Sequence, residues 1–346
     1  MTSFSADIWP QLLSEAIDGG ASDIHLSAEQ SPFIRRHGQL ERTGLPTPSA
    51  GDLEELTGRL TDEQHLSILE KNHELDFAVT CGGQRLRFNA SIRQGAISLT
   101  ARLIPGTIPS LEALGCPPIM RSLLKKENGL ILITGRTGSG KTTTIAAFLA
   151  ELARTSARHI ITLEDPVEYL IPAGESLIDQ REYGSDFLSF PAALKSALRS
   201  CPDLIVVGEL RDAETVSAAI NAAETGHLVI ASLHTQSAAE TMLRLESFFP
   251  AARQEQLRVQ LSLVLQAVIS QRLLPAAGGG LVCASEVLTA VPAVRNLIRT
   301  GKLPQLKSVM LAGRNEGMQT MEFSLEQLCR SRRLSPETAA RLRDNE

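Results

Sequence analysis

The rhythm of apolar and polar positions changes about a third of the way along the chain. Up to residue 104 the apolar positions come in short groups that predict a small α+β domain. Trp9 to Ala16 has the spacing of an amphipathic helix, and Gly51 to Lys71 reads as a helix with acidic residues on one face. Asp23-Ile-His-Leu-Ser27 and Phe33-Ile-Arg-Arg36 alternate as strands. Leu75 to Thr80, Gln84 to Asn89 and Ala96 to Ile104 read as three more, separated by glycine-containing turns. Pro105, Gly106 and Pro109 punctuate the pattern, so residues 105–110 are expected to form a linker. From Leu111 onward, apolar runs at Leu130–Thr134, Ile160–Leu163, Leu204–Val207 and Leu228–Ser232 alternate with helical stretches. That order predicts a mostly parallel sheet covered on both faces. After Pro250 the pattern is largely helical: Arg253 to Leu274, Ala293 to Arg299, and Met321 to the end.

Composition narrows the class. The chain has 346 residues, which suggests two domains, and its 43% apolar content suits ordinary packed cores. The 34 basic and 39 acidic residues leave a net charge of −5, so nothing global points to nucleic acid. No apolar run reaches the length of a membrane span, and the N-terminus lacks the basic and apolar regions of a signal peptide. A cytoplasmic protein is expected. Cys81, Cys116, Cys201, Cys283 and Cys329 are scattered without a C-x-x-C pair, so reduced thiols are expected rather than a disulfide framework or a zinc site.

The densest chemistry follows the first of the long apolar runs. Leu130-Ile-Leu-Ile-Thr134 leads into Gly135-Arg-Thr-Gly-Ser-Gly-Lys-Thr142 and then into TTIAAFLAELA, a strand, a G-x-x-x-x-G-K-[ST] loop and a helix in order. Gly135, Gly138 and Gly140 let the backbone curl so that successive N–H groups point inward at an anion. The following helix presents its positive end to the same anion. Lys141 can reach the β- and γ-phosphates of ATP, and the Thr142 hydroxyl is suited to ligate Mg²⁺. Thr137, Ser139 and Thr143 complete the expected phosphate-binding set.

Three further segments put polar residues at the C-terminal ends of predicted strands, where ligands bind in parallel α/β sheets. Ile160-Ile-Thr-Leu163 runs into Glu164-Asp165-Pro166. A carboxylate there can orient or deprotonate an attacking water, or it can cap the next helix. Asp203-Leu-Ile-Val-Val207-Gly208-Glu209 has the form of a Walker B strand, with Glu209 near Mg²⁺ through a water. The segment from Thr225 to Thr235 carries His227 and His234 at opposite ends of one strand. Seven apart, they cannot share a metal, and His234 suits a γ-phosphate sensor.

Together these segments resemble the secretion-ATPase superfamily, most closely the type IV pilus retraction ATPases of the PilT family. GRTGSGKTTT resembles the family's Walker A. ITLEDPVEY is similar to its Asp box, and DLIVVGELRDAETVSAAINAAETGHLVIASLHT to its Walker B running into its His box. AVRNLIR at 293–299, GMQTMEFSL at 317–325 and ASDIHLS at 21–27 extend the likeness to nearly the whole chain. The resemblance implies a PAS-like N-terminal domain (1–104) and a RecA-like ATPase domain with a mostly helical C-terminal part (111–346). It implies a homohexameric ring, each N-terminal domain packing on the neighbouring subunit's ATPase domain, with an inner-membrane pilus platform protein as partner and, in some systems, a paralogous retraction ATPase. Such a motor is cytoplasmic and sits against the inner membrane at the pilus base. The same resemblance implies Glu164 as general base, Glu209 as Walker B acid, and arginines from the N-terminal domain at the phosphates. QRLRFNASIRQGAISLTAR offers Arg87, Arg93 and Arg102 for that role.

The chain departs from the family pattern at Ser200-Cys201-Pro202, at Arg272 and at Leu245-Glu246-Ser247, and the distance from Gly95 to Arg102 is one residue longer than usual. None of these removes a catalytic group. The tetracysteine insertion of assembly-type relatives is absent, which favours the retraction branch. Three other readings are weighed against the motor. An accessory ATPase of the PilU type has the same chemistry. A nucleic-acid translocase on this core needs a basic channel studded with aromatics, which 4% aromatic content disfavours. A non-hydrolysing nucleotide-binding scaffold is disfavoured by the presence together of Lys141, Glu164, Glu209 and both histidines.

Overall fold

The computed structural model describes residues 4–36 and 38–343. It divides into two compact units. The first runs to Thr107 and also takes in Asp165–Leu170 and Arg181–Leu188; the second holds Ile108–Glu164, Ile171–Gln180 and the rest of the chain. The two short segments lie well inside the stretch assigned by sequence to the ATPase domain.

The first unit is built on six strands: β1 (Asp23–Ser27), β2 (Phe33–Arg36), β3 (Gln39–Arg42), β4 (Glu74–Cys81), β5 (Gln84–Arg93) and β6 (Ala96–Leu103), in the order β3-β2-β1-β6-β5-β4. All neighbours are antiparallel. Alternation makes the sheet one-sided. Ile24, Leu26, Ile34, Leu86, Phe88 and Leu99 are buried together with Trp9, Leu12 and Leu13 of the helix Trp9–Asp18. Phe77 and Phe88 face each other across β4 and β5 with rings stacked 5.0 Å apart. The opposite face carries the charges: Arg102 stands opposite both Asp23 and Arg87.

The single helix expected from Gly51 to Lys71 is two, Ala50–Leu60 and Glu63–Asn72. Thr61 is extended, and the Asp62 side chain accepts the backbone N–H of His65 at 2.8 Å, which starts the second helix afresh. β3 was absent from the sequence reading. It is an exposed edge strand, and Gln-Leu-Glu-Arg has no buried face to set a period.

The second unit holds β7 (Gly129–Thr134), β8 (His159–Glu164), β9 (Leu177–Glu182), β10 (Leu204–Val207), β11 (Leu228–Leu233), β12 (Leu265–Pro275) and β13 (Leu281–Thr289). Their order is β13-β12-β7-β11-β10-β8-β9. The neighbours from β12 to β8 are parallel. Every residue of β7, β10 and β11 is buried, as expected of a sheet covered on both faces. The expectation of one helix from Arg253 to Leu274 is overturned. The helix Ala251–Val264 ends, and β12 begins at Leu265, parallel to β7 and antiparallel to β13. Leu, Gln and Arg in Leu265–Pro275 mimic helical spacing, but Val268 and Ile269 are better placed beside β7, where both are fully buried. Among the described residues beyond β13 are the helices Pro292–Arg299, Met321–Arg330 and Pro336–Arg343, so the helical stretch expected from Met321 to the end is broken at 331–335, and residues 344–346 lie outside the described residues.

Candidate active site

β7, β11, β10 and β8 lie side by side and point the same way, so their C-terminal ends form one edge. In that order the edge carries the glycine-rich loop, His234, Glu209 and Glu164. Sequence placed all four at strand ends; the sheet order makes them neighbours.

The loop depends on glycine at its first position. Gly135 has φ near +147°, and a Cβ there would lie 2.4 Å from the Gln271 carbonyl oxygen and from Ser139 Oγ. Gly140, at φ near +88°, precedes the helix Lys141–Thr155, which opens with Lys141, Thr142 and Thr143. β12 braces the loop from the other side: Thr134 Oγ1 donates to Ser270 Oγ at 2.8 Å, and Gln271 Nε2 donates to Thr144 Oγ1 at 2.9 Å. Apolar spacing does not single out Ser270 and Gln271, because over Leu265–Pro275 it fits a helix as well as the strand that forms.

The Lys141 ammonium is largely buried. It donates to the Gly135 carbonyl at 2.8 Å and to the Arg136 carbonyl at 3.3 Å, and lies 3.4 Å from His234 Nδ1. Thr137 Oγ1 is also 3.4 Å from that nitrogen. His234 Nε2 lies 3.2 Å from Glu209 Oε1, and Arg211 Nε donates to Glu209 Oε2 at 2.9 Å. With the lysine ammonium beside Nδ1 and the carboxylate beside Nε2, the imidazole ring links the cation to the acid. His227 does not join this cluster. It sits before β11 at the opposite end, its Nδ1 3.2 Å from the Ala222 carbonyl and 3.3 Å from Thr225 Oγ1.

Glu164 ends β8. Its Oε1 accepts from Thr162 Oγ1 at 2.6 Å and from Gln180 Nε2 at 3.1 Å. Two donors on one oxygen fix the orientation of the carboxylate. Gln180 lies on β9, an edge strand absent from the sequence reading.

The donor set fits Mg²⁺ held as P-loop proteins hold it, by one hydroxyl, one carboxylate and the nucleotide's own oxygens. Thr142 and Glu209 would supply the protein's share. The buried Ser139 hydroxyl has no partner among the described residues, as suits a donor lining an anion cradle. Among those residues there is no group of three or more His, Cys, Asp or Glu side chains that could hold a metal alone.

Arg87 and Arg102 of the first unit are held by acids within it. Arg87 Nη1 donates to Glu168 at 2.7 Å and lies 3.6 Å from Asp76; Arg102 Nε donates to Asp23 at 3.0 Å. Arg93 is exposed at the end of β5. Arg85, not singled out by sequence, makes the most enclosed set. It donates to the Val167 carbonyl from Nη2 at 2.8 Å and from Nε at 3.3 Å, and lies 3.6 Å from Glu182. Burial pushes the Glu182 carboxyl up, opposed by the N–H groups of Val167 and Ala78 and by Arg85 and His65.

The type II/IV secretion system protein family matches residues 3–326. The chain belongs to the PilT branch of this family. It is 41% identical over 330 residues to the type IV pilus retractation ATPase PilT of Pseudomonas aeruginosa, covering 95% of this chain and 96% of that one. It is 45% identical over 317 residues to the uncharacterized protein YggR of Escherichia coli K12, covering 91% and 96%. The crystal structure of the pilus retraction motor PilT with bound ADP superposes with a TM-score of 0.86 at 42% identity, covering 95% of each chain. These whole-chain matches bear out the PilT-family resemblance and the two-part fold, an N-terminal α+β domain followed by a RecA-like P-loop ATPase.

Proposed function

We propose that this chain is an ATP-hydrolysing motor that powers type IV pilus retraction and works as a homohexamer against an inner-membrane platform protein. It is an ATPase of the secretion class. The observation that carries the reading is the strand-end row of Lys141, His234, Glu209 and Glu164, in a chain matched along nearly its whole length by retraction ATPases.

In this reading the loop from Gly135 to Thr143 cradles the phosphates. Lys141 leaves its loop carbonyls for the β- and γ-phosphate oxygens. Mg²⁺, when bound, neutralises phosphate charge next to Thr142 and Glu209. Glu164 orients the attacking water and accepts its proton, while Thr162 and Gln180 keep the carboxylate aimed. Loss of the γ-phosphate changes what His234 and Lys141 touch, so the Lys141–His234–Glu209 chain reports which nucleotide is bound. Arg87 and Arg102 neutralise charge on the γ-phosphoryl group, each exchanging a carboxylate for a phosphate oxygen. His227 serves at the far end of β11, toward another segment or subunit.

The test is ATP turnover by the full chain, measured together with its oligomeric mass. Glu164→Gln and Glu209→Gln are each expected to lower turnover by about a hundredfold to ten-thousandfold with the hexamer kept. Turnover that survives either substitution removes that residue from the mechanism. A monomer that hydrolyses ATP only with DNA present overturns the retraction reading.

A further inference from the structure

β11 holds its neighbour beyond the point where that neighbour ends. β10 stops at Val207, which stands opposite Ala231 of β11. The next residue of β11, Ser232, goes on bonding to the turn that follows β10. Its hydroxyl donates to the Gly208 carbonyl, and its own carbonyl accepts the Leu210 N–H at 3.0 Å. From the other side, the Gly208 N–H donates to the Leu163 carbonyl of β8 at 2.8 Å.

Glu209 lies between the two bonds from Ser232. The Gly208 carbonyl belongs to the peptide plane before its Cα, and the Leu210 N–H belongs to the plane after it. Peptide planes are rigid, so holding both fixes φ and ψ of Glu209 and, with them, the direction of its Cβ. One residue supplies both anchors, and Ser232 is only 5% exposed, so water does not compete for its hydroxyl. The same strand also meets the end of the side chain: His234, two residues on, lies 3.2 Å from Glu209 Oε1. β11 thus holds the acid at its backbone and at its carboxylate.

We infer that Ser232 is a positioning residue for Glu209: by fixing the peptide on each side of that residue it sets the aim of the carboxylate. This rests on the reading of Glu209 as the acid that reaches Mg²⁺ through a water. In that reading Ser232 touches neither nucleotide nor metal and acts only through Glu209.

The test compares ADP binding in excess Mg²⁺ with ADP binding in EDTA, by titration calorimetry on the full chain. Melting temperature, oligomeric mass, and kcat and KM for Mg–ATP are followed in parallel. The variants are Ser232→Ala, Ser232→Thr, Ser232→Val (the shape of threonine without its hydroxyl), Glu209→Gln and the double variant Ser232→Ala/Glu209→Gln. Ser232→Ala and Ser232→Val are each expected to cut the gain in ADP affinity that Mg²⁺ gives by about three- to tenfold, while affinity in EDTA moves less than about twofold. They should also lower kcat about tenfold with KM moving less than about threefold. Ser232→Thr keeps the donor and recovers most of what Ser232→Val loses. The double variant loses no more than about twofold beyond Glu209→Gln, because the two residues act as a unit. Equal losses with and without Mg²⁺, a threonine variant no better than valine, or a full additional loss in the double variant overturns the inference. If Ser232→Val does not assemble, Ser232→Ala carries the same readouts without added bulk. Glu209→Gln separates the two layers: an Mg²⁺ gain unchanged there defeats the reading of the acid, whereas a gain lost there but intact in Ser232→Ala defeats the positioning role alone.

Discussion

The two sheets use their side chains in opposite ways. The six-stranded sheet of the first unit is antiparallel and one-sided: β5 buries Leu86, Phe88 and Ala90 and turns Arg85, Arg87 and Asn89 to the other face. The seven-stranded sheet of the second unit is parallel at its centre and buried on both faces, so β7 offers no position for an exposed charge. Its chemistry is therefore confined to the strand ends, where Lys141, His234, Glu209 and Glu164 gather. A one-sided sheet can carry function along its face. A two-sided sheet can carry it only where the strands stop.

That contrast predicts unequal tolerance. The largest effect is expected inside the parallel sheet. Leu132 is fully buried at the centre of β7, and Leu132→Ala should cost about 2–5 kcal/mol in denaturant unfolding. A cost below about 1 kcal/mol would show that this sheet is not packed as tightly as its burial implies.

A smaller effect is expected where the first unit depends on a cap rather than a core. Asp62→Ala removes the acceptor for the His65 N–H and should cost about 1 kcal/mol near neutral pH. That backbone N–H, aided by the His65 ring, holds the Asp62 carboxyl below the usual carboxylate range. Because the folded value is lowered, the contribution is complete above the unfolded value of about 4 and disappears as pH falls through the folded value. Unfolding curves of the two proteins should thus converge in acid and separate above about pH 5. A difference constant down to the acid limit would assign the effect to something other than the carboxylate.

The smallest effect is expected on the polar face. The Arg102 side chain is 67% exposed, and Asp23 keeps a bond from Ser22 Oγ at 2.8 Å and Arg35 at 3.8 Å when Arg102 is removed. Arg102→Ala should change stability by less than about 1 kcal/mol. A loss as large as that of Leu132→Ala would erase the distinction between the faces.

What sequence could read follows the same division. Strands in the interior of either sheet have a repeating buried pattern, and β1, β5, β7, β10 and β11 were all legible from it. Edge strands β3 and β9 were not, since one unpaired side and polar residues leave no period to detect. β12 was misread because a buried apolar run fits helix and strand equally well, and only pairing with β7 decides between them. The glycine-rich loop and the strand-end acids were legible because phosphate chemistry constrains consecutive residues.

By itself, then, the sequence determined the nucleotide loop, the acids and histidine that follow the apolar runs, and the alternation that separates two kinds of sheet. Each of these is a property of residues near one another in the chain, set by backbone geometry and period. Tertiary structure alone decided that His234 joins Lys141 to Glu209 while His227 lies at the far end of the same strand. It alone decided that Gln180 aims Glu164, and that Arg85 grips a carbonyl 82 residues away. Those pairings depend on which strands and segments become neighbours, and the burial that selects them is a sum over the whole fold that no local pattern records.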